Sequence, residues 1–176
     1  MCGHPIDAVR FAMRRFTFLS GMIACLLLAV AARSQEFAID LDVKSGKASQ
    51  SAHAEPFGLG VTPKPRSIIE VKAGERIMVK WKLTNIDSKE SAKDVTVHFF
   101  VVKEEATGQR TLPNLKKDVV AESALSMDFA PKDKSEGQLN FVIDRPGSYL
   151  VRLETMGVAN GSKGQEWFAA LDVVAR

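Results

Sequence analysis

Past residue 34 this chain contains no cysteine, because Cys2 and Cys25 both lie before that point. The rest of the chain can therefore form no disulfide, no thiol nucleophile and no thiolate metal site. A blue-copper centre needs a cysteine thiolate with two histidines, so it is excluded too. Histidine is scarce: only His53 and His98 follow His4. A Ser-His-Asp triad would have to use one of those two, and no serine sits in a nucleophile elbow or another motif with mechanics behind it. Charge of one sign is missing as well. The formal +3 of the whole chain arises before residue 35, where Arg10, Arg14, Arg15 and Arg33 face Asp7 alone. The remainder is balanced, which removes the case for nucleic-acid binding by bulk charge. Finally, no segment beyond residue 34 repeats its apolar residues at a helical period.

Before residue 35 the order of features is that of a secretory signal. Arg10, Arg14 and Arg15 precede an apolar run, Phe16 to Ala32, that ends in small residues. The sequence thus predicts a cleaved signal peptide over residues 1–34, an exported product in the periplasm or outside the cell, and no permanent membrane span after cleavage. Met13 stands directly before Arg14-Arg15 and is an alternative start. The hydrophobic pair that twin-arginine export wants is spoiled by Thr17. Cys25 loosely resembles a lipobox, but Leu26-Leu27-Leu28-Ala29 follows it where a lipoprotein carries a polar tether. Residues 35–176 are long enough for one domain with its own core.

What the mature chain does contain is alternation. Phe37-Ala38-Ile39-Asp40-Leu41-Asp42-Val43 has the two-residue period of a strand, with Asp40 and Asp42 on its polar face. Residues 44–66 are rich in Ser, Gly, Ala and Pro and read as a long connection or flexible arm. Ile68 to Val71 resumes regular structure. Ile77, Val79, Trp81 and Leu83 then alternate with Arg76, Lys80 and Lys82, which makes Trp81 a core tryptophan. Asp94 to Lys103 is apolar on both faces, as a covered central strand or one with an apolar patch would be. Val119 to Phe129 is a further strand and Pro131 to Gly137 a charged turn. Gln138 to Ile143 and Tyr149 to Glu154 flank a tight Pro146-Gly147 turn. Trp167, Ala169, Leu171 and Val173 line one face of the last strand. Seven or eight strands at this spacing argue for an all-β, immunoglobulin-like, two-sheet antiparallel β-sandwich over residues 67–176, joined by the strand at 37–43.

Two stretches carry a resemblance. Val71-Lys72-Ala73-Gly74-Glu75 with Val79-Lys80-Trp81-Lys82-Leu83-Thr84-Asn85 resembles the opening of bacterial exported immunoglobulin-like or fibronectin-III-like domains, including the CARDB type. The Pro146-Gly147-Ser148-Tyr149 corner resembles their later strand pair and the tyrosine corner of such sandwiches. The resemblance implies architecture over residues 67–174. It implies no activity, since this fold hosts adhesion, scaffolding, chaperone and substrate-binding roles alike.

The functional expectation is a non-enzymatic binding module for an envelope protein or polysaccharide, with no cofactor. Its candidate surface is the sheet face bearing His98, Phe100, Leu150, Arg152 and Phe168. If their strands are neighbours, aromatics and an arginine meet there, as at interface centres. The competing expectation is that the 104–118 loop or the N-terminal arm covers this face. A second candidate is the loop end formed by 85–93, 131–137 and 156–165. Two alternatives stand beside the binding module: a periplasmic copper-handling or metalloenzyme-accessory domain using His98 with Met78, Met127 or Met156, and a hydrolase with an unrecognised carboxylate site.

Overall fold

The structure, a computed structural model, describes residues 37–54, 65–109, 111–156, 158–159, 162–163 and 167–176, and eleven strands lie among them, most of them at stretches of alternating apolar side chains. The expected signal peptide, with Met13 and Cys25, lies outside the described residues. The strands are β1 (Phe37–Ser45), β2 (Ala48–His53), β3 (Ser67–Val71), β4 (Arg76–Asn85), β5 (Ala92–Glu104), β6 (Val119–Phe129), β7 (Lys134–Val142), β8 (Gly147–Met156), β9 (Val158–Ala159), β10 (Ser162–Lys163) and β11 (Trp167–Ala175). One sheet has four strands in the order β2-β1-β4-β7, and the other has five in the order β3-β11-β8-β5-β6; β9 and β10 form a small ribbon. The fold is an all-β two-sheet sandwich. No helix among the described residues is long and apolar enough to cross a membrane.

The core is the shared inner face. Phe37, Ile39, Leu41 and Val43 of β1 and Ile77, Val79 and Leu83 of β4 supply one side. Val95, Val97, Phe99 and Val101 of β5, Val151 and Leu153 of β8, and Ala169, Leu171 and Val173 of β11 supply the other. These are the odd-numbered positions the sequence period picks out, because successive side chains on a strand point to opposite faces. Trp81 is a partial exception: it packs against the core but stays half-buried at its margin.

The corner at Tyr149 forms as its sequence suggests. Its buried hydroxyl donates to the Arg145 carbonyl at 2.7 Å, closing the turn that Gly147 makes at φ +148°. Burial raises the Tyr149 pKa above its ordinary value. The resulting β8 pairs with β11 on one side and β5 on the other, so the three strands are neighbours. Asn85, at the end of β4, is fully buried; its amide donates to the Glu90 and Ala130 carbonyls, and its side-chain oxygen accepts from the Asp87 backbone N–H. That one side chain ties the 86–91 loop to the turn between β6 and β7.

Two sequence expectations are corrected here. The 44–66 connection is not irregular throughout, since β2 folds back on β1 through a two-residue turn at Gly46 and Lys47, with Gly46 at φ +55°. Ser49, Gln50 and Ser51 hid that strand because they carry no hydrophobic period; Ala48, Ala52 and Ala54 meet the core. The 131–137 turn is also shorter than expected. Strand β7 begins at Lys134, and Gly137 lies within it, opposite Trp81.

Candidate functional site

The sequence-selected face does assemble. Pairing of Phe100 with Arg152, His98 with Glu154 and Phe168 with Glu154 brings all five candidates onto the outer face of the five-stranded sheet. The face is covered, however. Phe100 and Leu150 are fully buried with Val102, under Leu115 of the 105–118 loop. His98 and Arg152 are buried as well, and Phe168 is half-buried. These residues are an outer, smaller core, not a surface waiting for a partner.

The polar members of this face are committed to one another. The His98 Nδ1 lies 3.0 Å from Glu154 Oε1, and its Nε2 lies 3.0 Å from Glu122 Oε1. Both ring nitrogens can donate at once only as imidazolium. Arg152 Nε donates to Glu154 Oε2 at 2.6 Å, and its guanidinium stands 3.8 Å above the Phe168 ring. Both ring nitrogens of His98 thus face carboxylates within hydrogen-bond distance. Met78 and Met127 point away from it: Met78 is on the outer face of the other sheet, and Met127 is on the inner face of β6. Met156 alone shares the His98 face. Among the described residues no group of three or more His, Cys, Asp or Glu is placed to hold a metal. Asp40 and Asp42 likewise serve the fold, accepting from His53 (2.7 Å) and Ser51 across the β1–β2 pair.

A second polar group on the same face was not legible in the sequence. Arg66, just before β3, reaches over β11 and β8 to β5. Its Nη2 donates to Glu104 Oε2 at 2.7 Å, and its Nε lies 2.8 Å from Asp172 Oδ1 without its N–H being aimed there. Both carboxylates are essentially inaccessible, with side-chain exposures of 0% and 1%. Gly108 of the covering loop donates its N–H to Asp172 Oδ2 at 2.6 Å. Burial raises the pKa of Glu104 and of Asp172, and the Arg66 charge only partly opposes this. The available signal was that Glu104 and Asp172 are acids on strands apolar on both faces. Nothing in the sequence marked Arg66 as their partner.

Among the described residues an opening lies elsewhere, along one side of the sandwich. On the far side β2 leans on β3 and β11 and closes the gap between the sheets. On this side the five-stranded sheet has one strand more than the four-stranded sheet. Strand β7 faces β5 through the Phe99–Phe141 ring contact at 6.3 Å and the inner side of β6 through the Ser135–Met127 contact at 3.8 Å, and among the described residues no strand continues the four-stranded sheet past β7. The result is an apolar cleft of about 140 Å³ lined by Trp81, Val97, Phe99, Ser123, Leu125, Gly137, Gln138, Leu139 and Leu153. Leu125 is 52% exposed on the inner face of β6. The indole of Trp81 lies flat on Gly137, where a Cβ would come within 2.4 Å of the ring. Gly137→Ala is expected to lift Trp81 off the strand and cost about 1–3 kcal/mol as overpacking does. Urea unfolding followed by tryptophan emission would show both the loss and a red shift.

No protein-family model and no curated protein matches the chain. Among solved structures it is similar to the C-terminal domain of wzt, at 8% identity and TM-score 0.41, covering 77% of this chain and 70% of that one. It is also similar to the PmoD soluble domain from Methylocystis sp. ATCC 49242 (Rockwell), at 14% identity and TM-score 0.41, covering 78% and 90%. A polysaccharide monooxygenase, CBM33, matches at 14% identity and TM-score 0.33 over 61% of this chain and 58% of its own. None of the three is named as a CARDB-type domain, and at these values the likenesses carry no argument about function.

Proposed function

We propose that this is an exported, non-enzymatic β-sandwich whose work is to bind a protein partner at its open side. The observation that supports this reading most is the apolar cleft at Trp81, Leu125 and Leu139, flanked by the edges of β6 and β7, neither of which pairs with a further strand among the described residues. Unpaired edges bind extended protein segments through main-chain hydrogen bonds, and an adjoining apolar cleft takes alternate side chains. A polysaccharide partner fits less well. The outer face of the four-stranded sheet, with Asp40, Asp42, Lys80, Lys82, Glu136 and Gln138, carries no aromatic platform.

The non-enzymatic part rests on how the buried ionisable groups are used. His98, Glu154 and Arg152 are held against each other, and likewise Arg66, Glu104 and Asp172, the latter group meeting the covering loop at Gly108. The copper-handling reading draws no support from His98, whose ring nitrogens both face carboxylates.

The test is retention of envelope proteins on the immobilised chain, compared with Leu125→Asp. The variant should fold, because Leu125 is half-exposed. A protein held by wild type and lost by the variant, then shown to bind when purified, supports the reading. Identical retention of an envelope protein by both chains would remove the open side as the site that docks it.

A further inference from the structure

We propose that the partner at the open side is a second copy of this chain, docked about a two-fold axis that runs along the strands between the two layers. The proposal rests on the reading of the open side as a docking site and names its occupant. The argument begins with the step at that side. One layer ends at β7 and the other extends one strand further, to β6. A two-fold rotation about an axis along the strands exchanges the layers. It places the overhanging β6 of one copy beside the β7 of the other, in the position where the shorter sheet lacks a strand. The same rotation seats the second β6 beside the first β7. Two sheets of nine strands result, and both clefts close.

Direction and register follow without further adjustment. Strands β6 and β7 are joined by the turn at 130–133 and run in opposite senses, and an axis along the strands preserves each sense. Each new β7–β6 pair is therefore antiparallel. The relative heights of β6 and β7 are fixed within one copy, because Ser135 Oγ donates to Met127 Sδ at 3.8 Å and Gly137 and Leu125 line the same cleft. Since the rotation keeps height, Ser135 faces Met127 of the second copy, Gly137 faces Leu125, and Leu139 faces Ser123. These are all inner-face positions, so the side-chain phase matches.

The charges fit this register. On the outer face Lys134 comes opposite Asp128, Glu136 opposite Ser126, Gln138 opposite Ala124 and Asn140 opposite Glu122. One pair is of opposite sign and none is of like sign. The exposed Leu125 comes opposite Gly137, where β7 has no side chain of its own and the Trp81 indole lies over the glycine, so Leu125 packs against that ring. Over eleven residues strand β6 carries no lysine and no proline, and its charges are Glu122 and Asp128. Closed two-fold contacts of this self-complementary kind are the commonest route to oligomers.

The absence of cysteine past residue 34 makes the test clean. Ala124 and Gln138 are both exposed and sit on opposite outer faces of one copy, so they cannot bridge within a chain. In the docked pair they come opposite each other twice. The full-length gene is expressed and the exported product purified. Sedimentation velocity at rising concentration should show a dimer for wild type, and Lys134→Glu should weaken it about tenfold by setting like charges face to face. Under mild oxidation the double variant Ala124→Cys with Gln138→Cys should yield a disulfide-linked dimer, while either single variant should not. A wild-type chain that stays monomeric into the high micromolar range overturns the proposal, and so do single variants that cross-link as well as the double one. A monomer that still holds an envelope protein lost with Leu125→Asp sinks this inference and leaves the broader reading standing.

Discussion

Arg66→Ala is expected to lower the stability of the fold at neutral pH by about 3 kcal/mol, the low end of the range for removing one partner of a buried ion group. The low end applies because the Arg66 side chain keeps 16% exposure while Glu104 and Asp172 keep essentially none. Without the guanidinium, the two carboxylates remain under the 105–118 loop, where among the described residues the Gly108 N–H meets Asp172. The pH dependence gives the prediction its sign. Glu104 and Asp172 have folded-state pKa values raised above their ordinary ones, chiefly by burial. A raised carboxylate contributes stability that is fully present below its unfolded pKa and is lost as pH rises through its folded pKa. Removing Arg66 takes away the influence that lowers both values, so they rise further. The difference between wild type and variant should be widest at neutral pH. It should shrink as acidification protonates both carboxyls in the variant. Urea titrations at neutral pH and in the mildly acidic range would measure it. An equal loss at both would mean that Arg66 acts through packing alone.

Phe100→Ala is expected to cost about 3–5 kcal/mol, as truncation of a buried phenylalanine does. On a binding surface the same change would leave stability nearly untouched. Phe100 is fully buried between Val102, Leu150 and the Leu115 side of the covering loop. Its ring also stands 5.1 Å from that of His98. The cavity would therefore open beside the His98–Glu154–Arg152 group and loosen it. Loss of the near-UV CD signal at a denaturant concentration that wild type tolerates would register the effect. A variant as stable as wild type would show that the loop lifts away and that this face is surface after all. Phe100→Asp is for the same reason a poor probe of binding, because it would unfold the outer core before it reported on a partner.

The architecture was legible because it rests on local pattern. The two-residue period of β1, β4, β5, β8 and β11 assigns their inner faces residue by residue, and the Pro146-Gly147-Ser148-Tyr149 corner carries its own turn chemistry. Strand β2 was illegible because Ser49, Gln50 and Ser51 have no apolar alternation and are held by pairing with β1. The candidate face was legible only in part. The apolar even-numbered side of β5 said that something must cover it or bind it, and no local pattern could say which. The cover is the 105–118 loop and Arg66, distant in sequence from one another and from β8 and β11.

The sequence by itself settled the strand faces, the tyrosine corner and the exclusion of thiol and blue-copper chemistry past residue 34, since each depends on residue type or near-neighbour spacing. The tertiary structure alone decided the rest: that His98 spends both nitrogens on glutamates, that Arg66 answers two buried acids, and that the sheets differ by one strand. That last fact leaves Leu125 exposed beside Trp81. It is a property of how sheets stack, and stacking is set by which strands pair across long separations, which no local period encodes.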